Sequence, residues 1–232
     1  MILVRDDRKE RVVERAAARD GLKPRGKVEI FVTRGTPRKK WGKLLRVNHG
    51  VPIYDKCELD FSRSAILDKM VAHNIILDAG KDKVIESLVT GVIHEVGRIA
   101  IGDRGTIPSD PTVPKIPTSN LPGLYNEIYR DDVDGVTVDV GTPGTHEVQF
   151  VKTFDASSVP ITAFSNQASP VINEVGLVTF DFAEGPLPRA PVASPSAPPA
   201  DEVVFSLRTF KSVPFEAANE ISVTIRYTIF IE

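Results

Sequence analysis

The sequence predicts a mainly β protein, an antiparallel β-sandwich with one or two helices and an extended N-terminal arm. From Glu220 to Ile231, apolar and polar residues alternate with a period of two that only Phe230 interrupts. A strand with one apolar face must bury that face against a second sheet or a helix layer. A second alternating segment begins at Val136 and is followed by the turn sequence Gly141–Gly144 and a return strand. Further short strands through the chain complete the prediction.

Composition places limits on the class of protein. The 232 residues suffice for one large all-β domain or two unequal domains, and 41% hydrophobic with 26% charged residues is typical of soluble globular proteins. We expect no membrane span, because no window approaches 18 apolar residues, and no signal peptide, because a basic start with a following apolar run is missing. The single cysteine, Cys57, fits a reducing compartment, where it is expected to pack as a small apolar residue.

Charge is unevenly distributed along the chain. Residues 1–60 contain 16 Lys and Arg against 9 Asp and Glu, whereas the remaining 172 residues contain 13 against 22. Opposite charges at two poles would favour head-to-tail association of identical subunits. A basic surface on a small N-terminal region explains the pattern equally well.

Three regions are predicted along the chain. Residues 1–25 form a charged helical arm, with a helix from Asp6 to Arg19. Residues 26–70 form a small basic, β-rich region. Residues 71–232 form the sandwich, with proline-rich excursions at 107–122 and 186–200.

Alternation and turn residues predict most of the remaining elements. The predicted strands are Lys27–Thr33, Gly42–Val47, Ile53–Phe61, Ile93–Ile101, Val136–Val140, His146–Phe154, Ile161–Ser165, Val175–Phe182 and Glu202–Phe210. A helix is predicted from Ala79 to Val89, capped by Asp78, with an apolar face of Val84, Ile85, Leu88 and Val89. Two segments, Ile66–Leu77 and Leu121–Arg130, fit either a helix or a strand.

Two proline-rich segments are candidate contact elements. Pro108, Pro111, Pro114 and Pro117 recur every three residues, so in a polyproline II helix their rings would line one edge of an extended rod. Such a rod could dock onto a neighbour, or the segment could be a stiff loop on its own domain. The second segment is expected to be extended and includes Pro191, Pro195 and Pro198.

A basic cluster surrounds the only tryptophan. Arg38, Lys39 and Lys40 precede Trp41, a combination suited to phosphate contacts and base stacking. The same cluster could meet an acidic neighbouring subunit. We favour this second interpretation over nucleic acid, because the whole chain carries a net charge of −2.

Several short motifs from Asn74 onward resemble the amino-terminal attachment domain of tailed-bacteriophage fibre and collar proteins. They are Asn74-Ile-Ile-Leu-Asp-Ala-Gly80, Leu88-Val-Thr-Gly91, Ile99-Ala-Ile-Gly-Asp103, Leu124-Tyr-Asn-Glu-Ile-Tyr-Arg130, Asn173-Glu-Val-Gly-Leu177, Arg208-Thr-Phe-Lys211 and the last strand. The resemblance covers residues 70–232, and the motifs are specific together rather than singly.

The resemblance implies a virion protein made in the host cytoplasm, a subunit of a collar, neck, baseplate or fibre-attachment assembly. Fibre proteins of this family continue into a long trimeric shaft, whereas this sequence ends at Glu232. The resemblance, without a shaft, therefore favours a homo-oligomeric neck or collar component that binds other virion proteins and needs no cofactor. The arm and the proline-rich segments are the expected contact elements.

No residue pattern predicts catalysis or a metal. His94-Glu95 lacks the second histidine of a zinc protease, since Arg98 stands there, and the four histidines share no ligand spacing. We therefore expect no enzyme, no metal and no cofactor. Two alternatives stay open. One is a carbohydrate-binding module using Tyr125, Tyr129 and Trp41. The other is a glycan hydrolase using carboxylates at Glu127, Asp131, Asp132 and Asp134.

The motif Asn173-Glu-Val-Gly-Leu177 also has a structural interpretation. We expect Glu174 to form a buried or interface ion pair with Arg130 or Arg98. Gly176 is expected to allow a close backbone approach.

Overall fold

A computed structural model describes residues 24–48, 50–90, 94–139, 146–181, 189–193 and 202–231. The predicted N-terminal helix and the Gly141–Gly144 turn lie outside these ranges. Strands are numbered in chain order. They are β1 (Pro24–Arg34), β2 (Arg38–Trp41), β3 (Leu44–Asn48), β4 (Val51–Tyr54), β5 (Cys57–Asp60), β6 (Ala65–His73), β7 (Ile75–Ile76), β8 (His94–Gly102), β9 (Thr106–Ile107), β10 (Asp110–Pro114), β11 (Glu127–Asp132), β12 (Gly135–Asp139), β13 (His146–Asp155), β14 (Val171–Asp181), β15 (Val192–Ala193), β16 (Glu202–Pro214) and β17 (Ile221–Ile231).

Two large sheets account for most of these strands. A seven-stranded sheet has the order β3-β4-β12-β13-β17-β1-β6, and a six-stranded sheet has the order β15-β11-β8-β14-β16-β7. Neighbouring strands are antiparallel except β4 and β12, which are parallel. Strands from the 26–70 region and from the 71–232 region share the seven-stranded sheet, where β1 lies between β17 and β6.

The two large sheets pack together around one apolar core, which confirms the predicted mainly β, largely antiparallel architecture. Alternate residues of β17, namely Ile221, Val223, Ile225 and Tyr227, are buried there with Val175 and Leu177 of β14. The hydroxyl group of Tyr227 donates a hydrogen bond to the carbonyl oxygen of Val175 at 2.9 Å, which joins the two sheets directly. Burial raises the pKa of this hydroxyl group, so it stays protonated and remains a donor.

A two-stranded ribbon of β2 and β5 covers the outer face of the seven-stranded sheet. The polar side of β17 is therefore buried as well, and Ser222 and Thr224 are both inaccessible to solvent. The side chain of Thr224 lies 3.0 Å from that of Thr153, which accepts a hydrogen bond from Lys39 of the ribbon. The polar half of the alternating pattern thus faces a second protein layer.

The outer face of the six-stranded sheet is covered by helix α1 (Asp78–Thr90) and the loop that precedes β11. A second, smaller core lies beneath them; it contains Leu77, Ala100, Val178, Val204 and Leu207. Gly80 sits so close to Phe205 that a Cβ atom there would come within 2.5 Å of its carbonyl oxygen. The six-stranded sheet is therefore buried on both faces.

Several local predictions can now be judged. The ambiguous segment Ile66–Leu77 is extended and forms most of β6 together with β7. In Leu121–Arg130, β11 begins only at Glu127. The predicted strand Ile161–Ser165 is wrong, because Ile161–Ala163 form a short 3-10 helix. The basic cluster Arg38–Lys40 forms strand β2 together with Trp41.

The inter-sheet hydrogen bond gives a stability prediction. Tyr227→Phe leaves the Val175 carbonyl group without this buried donor and should lower the free energy of unfolding by about 1–2 kcal/mol. Thermal and urea unfolding measure the loss. Tyr125→Phe is the matched control, because its hydroxyl group makes only a 3.5 Å contact near the surface. Equal effects of the two substitutions would contradict the role of Tyr227.

Candidate functional site

The basic strand β2 is held against the protein by its own ion pairs. Lys39 lies 2.9 Å from the carboxylate of Asp134, and Lys40 lies 2.8 Å from that of Asp60. Arg38 is exposed. The predicted basic cluster is therefore partly neutralised within the chain.

Trp41 has a packing role in the same ribbon. Its ring stacks on Tyr54 with centroids 4.6 Å apart, and it covers Gly135 so closely that a Cβ atom there would lie 2.7 Å from the ring. Tyr129, another proposed sugar-stacking residue, is buried edge-on against Phe154. These two rings are thus engaged within the protein, and the geometry does not support a sugar-stacking role for either. The third ring, Tyr125, is half-buried, with the ammonium group of Lys115 4.3 Å from its centroid.

The first proline-rich segment is a hairpin instead of a polyproline rod. Strands β9 and β10 pair antiparallel, Pro108 lies in the turn between them, and Pro117 is buried beyond β10. Pro111 is exposed, whereas Pro114 lines a cavity beside β16. The four rings do not share an edge, and the segment lies on its own domain, where Thr209 donates a hydrogen bond to the carbonyl oxygen of Lys115.

The second proline-rich segment is described only at residues 189–193. Pro191 is exposed and directly precedes β15, which pairs with β11 through Val192 and Ala193. Pro195 and Pro198 lie outside the described residues. Pro191 thus remains accessible beside the edge of the six-stranded sheet.

A buried cluster of alternating charges holds the β11 side of the six-stranded sheet. The Glu202 cluster consists of Arg98, Arg130, Arg189, Glu127, Asp132 and Glu202. Glu202 lies 2.8 Å from Arg98 and also pairs with Arg130 and Arg189. Burial acts to raise the pKa of Glu202, but hydrogen bonds from Arg130 and Arg98 lower it below its usual value. Three arginines and three carboxylates make the cluster neutral.

The four carboxylates proposed for a glycan hydrolase are each bound to a cation. Glu127 pairs with Arg130, and Asp132 lies 3.0 Å from Arg98. Asp131 lies 2.6 Å from Lys152, and Asp134 pairs with Lys39. Among the described residues, no group of three His, Cys, Asp or Glu side chains could hold a metal ion. The geometry thus favours structural roles for these carboxylates.

Glu174 binds backbone amides, so the predicted ion pair with Arg130 or Arg98 is wrong. Its carboxylate accepts hydrogen bonds from the amide groups of Tyr125 at 2.7 Å, Asn126 at 2.8 Å and Arg104 at 3.2 Å. The side chain is fully buried, and burial raises its pKa to about 7 against the opposing effect of these amides.

The neighbouring residues show why this part of the chain contains Asn-Glu and several glycines. Asn173 accepts a hydrogen bond from the amide of Gly105 at 2.6 Å, and its own amide group donates to the Asp103 carbonyl oxygen. A Cβ atom at Gly102 would lie 2.4 Å from the Glu174 carboxylate, so only glycine leaves room for it. We name Gly102, Asp103, Gly105, Asn173 and Glu174 the Glu174 junction. The junction holds the loop after β8 against the loop before β11.

Helix α1 directs its predicted apolar face toward solvent. Val84, Ile85, Leu88 and Val89 are all exposed, and Leu88 is 79% exposed. Both edge strands of the seven-stranded sheet carry exposed apolar residues too, which are Leu44, Leu45 and Val47 on β3 and Ile66, Leu67 and Val71 on β6. Large exposed apolar patches are candidate interaction surfaces.

The buried carboxyl group of Glu174 gives a pH prediction. Because its pKa is raised from 4.5 to about 7 in the folded state, the stability associated with its neutral form is present below pH 4.5 and is lost as pH rises through 7. The loss amounts to about 3 kcal/mol. The midpoint temperature of thermal unfolding of the native protein should fall between pH 5 and pH 7.5. Glu174→Gln should remove most of that fall. Glu216→Gln, outside the junction, is the control, and an unchanged decline in Glu174→Gln would contradict the assignment.

The Glu202 cluster gives a second stability prediction. Glu202→Gln leaves Arg98 and Arg130 buried without their shared counter-charge and should cost about 3–5 kcal/mol in urea unfolding. Glu58→Gln removes an exposed pair with Lys56 and should have no measurable effect. If both substitutions were neutral, the pairs of Arg98 with Asp132 and of Arg130 with Glu127 would be sufficient, which would contradict the role assigned to Glu202.

The chain matches no protein-family model and no curated protein. Within the described residues, no helix is long and apolar enough to cross a membrane.

Proposed function

We propose that the chain is a non-enzymatic structural component of a phage virion. It forms a homo-oligomeric neck, collar or tail-attachment assembly and binds other virion proteins. Two observations support the proposal: the resemblance of residues 70–232 and the apolar surfaces that are exposed in the fold.

The outward apolar face of α1 is the observation that carries the assembly proposal. The helix packs on the six-stranded sheet through Gly80, while Val84, Ile85, Leu88 and Val89 point away from it. Leaving four such side chains in water forfeits roughly 0.8 kcal/mol for each CH₂ group that another surface could bury. A neighbouring protein that covers α1 recovers this free energy.

The placement of the family-like motifs also supports the proposal. Ile99-Ala-Ile-Gly-Asp103 lies on β8 and the turn after it, and Asn173-Glu-Val-Gly-Leu177 lies on the adjacent strand β14, with Leu177 opposite Ile99. Tyr125 and Asn126 of a third motif bind Glu174. Motifs that are separate in sequence thus form one unit, as expected if they define a shared fold.

The charges favour a structural role over catalysis or nucleic-acid binding. The carboxylates that a hydrolase would use are occupied by arginine or lysine, and Lys39 and Lys40 of the basic strand bind carboxylates of the same chain. The pair Glu127–Arg130 lies within β11, and each of the other pairs joins one strand or loop to another.

Light scattering tests the proposal. At low salt the full chain should form one discrete multimer, and moderate salt should reduce its mass because the N-terminal 60 residues and the remainder carry opposite net charge. Leu88→Ser should lower the mass at both salt concentrations by removing apolar contact area. Ile161→Ser is the control, because Ile161 is also exposed but lies outside α1, and it should leave the mass unchanged. A native protein that is monomeric under all conditions would contradict self-assembly.

A further inference from the structure

Lys152 and Asp131 join the two large sheets at the margin of the core. Lys152 lies on β13 opposite the buried residue Ile225, so its side chain enters the space between the sheets. Asp131 lies on β11 opposite Ile99, which is buried in the same core. The ammonium group of Lys152 is 2.6 Å from Oδ2 of Asp131. One pair of side chains thus connects the seven-stranded sheet to the six-stranded sheet.

This lysine is the least exposed among the Lys–Asp pairs of the described residues. Its side chain is 11% exposed, against 17% for Lys39 and 50% for Lys211. The ring of Phe154 lies 5.7 Å from its ammonium group. Loss of hydration raises the free energy of an ammonium and a carboxylate relative to a neutral amine and a neutral acid. The site therefore favours transfer of a proton within the pair more than an exposed pair does.

The two carboxylate oxygen atoms of Asp131 have different partners. Oδ1 accepts a hydrogen bond from the backbone amide of Asp132 at 2.8 Å, whereas Oδ2 contacts Lys152. An amide donor at this distance stabilises negative charge that develops on an oxygen atom when a nucleophile adds to its carbon. Oδ1 is thus placed to hold that charge, and Oδ2 is placed to depart.

A second carboxylate group lies beside the same ammonium group. Oδ1 of Asp134 is 3.5 Å from Nζ of Lys152. Oδ2 of Asp134 accepts a hydrogen bond from the backbone amide of Thr153 at 2.8 Å and contacts Lys39 at 2.9 Å. A base that lies next to a nucleophile and is oriented by a third group is the arrangement that activates nucleophilic side chains.

We propose that Lys152 and Asp131 condense to an isopeptide bond, an amide between Nζ and Cγ. A proton passes from the ammonium group to Oδ2 of Asp131, which leaves a neutral amine and a neutral acid. Nζ then attacks Cγ and gives a proton to Asp134. Asp134 returns this proton to the hydroxyl group on Cγ, which departs as water. One ammonium and one carboxylate thus become one amide and one water, without any other reactant.

Contact between the reacting groups supplies much of the driving force for this step. Well-oriented groups within one molecule react at effective concentrations on the order of 10⁵–10⁸ M. The product links β11 to β13 covalently in a chain whose single cysteine cannot form an internal disulfide. The inference concerns one subunit by itself and does not depend on the proposed function.

Mass spectrometry of the purified full chain tests the proposal. The native protein should be lighter than its sequence by one water molecule. Trypsin does not cleave after an acylated lysine, so one peptide of residues 131–189, lacking one water, should replace the peptides 131–152 and 153–189. Full encoded mass with normal cleavage after Lys152 would overturn the bond. Loss of water with normal cleavage there would also overturn it, because Asp134-Gly135 can lose water by forming a succinimide.

Lys211 is the internal control. It also lies 2.6 Å from an aspartate, Asp68, whose Oδ1 likewise accepts a backbone amide hydrogen bond, at 2.8 Å. Its side chain is half exposed, so the proposal expects no bond and normal cleavage after Lys211 in the same digest. Equal resistance to trypsin at Lys152 and Lys211 would overturn the assignment.

Two variants separate the covalent bond from the ion pair. Lys152→Arg keeps the positive charge without the amine, so it should have its full encoded mass and normal cleavage after residue 152. Asp134→Asn keeps an acceptor for the Thr153 amide but removes the base. It should slow the appearance of the linked peptide about 100-fold in samples taken during cell-free synthesis. Loss of water from the same peptide in Lys152→Arg would overturn the bond, and an unchanged rate in Asp134→Asn would overturn the role of Asp134.

Discussion

The six-stranded sheet is buried on both faces, by the seven-stranded sheet on one side and by α1 with its neighbouring loop on the other. A charged or polar group on such a sheet has no access to water, so its partners must be supplied by the protein. The Glu202 cluster meets this requirement with opposite charges, and the Glu174 junction meets it with backbone amides. Both therefore fix the loops and strands around the sheet in one arrangement.

The seven-stranded sheet differs from the six-stranded sheet because its edge strands are exposed to solvent. Its centre is covered on one face by the core and on the other by the β2–β5 ribbon, whereas its two edge strands carry exposed leucine, isoleucine and valine residues. Buried charges stabilise the interior only when paired, so they limit how that interior can rearrange. The open apolar edges are where the fold can still gain stability from a partner.

The period of two predicted most of the strands because it is a local property, and β17 follows it residue by residue. The single predicted strand Ile53–Phe61 is wrong, because Tyr54 ends β4 of the seven-stranded sheet and Cys57 begins β5 of the ribbon. It did not predict the orientation of α1, because the same apolar face fits burial in the core or in an interface. The partners of Glu174 were missed since backbone amide groups leave no trace in residue identity. The period of three in the prolines failed as a guide because Pro108 occupies the hairpin turn and Pro117 is buried beyond it.

The pairing of β1 with β17 brings together residues about 200 positions apart, such as Pro24 and Ile231. At roughly 5–20 residues per second, on the order of 10–40 s pass between the synthesis of β1 and the synthesis of its partner β17. Folding dominated by such distant pairings is slow. The seven-stranded sheet therefore closes only after β17 has been made, so its edge strands β3 and β6 become ordered long after they are synthesised.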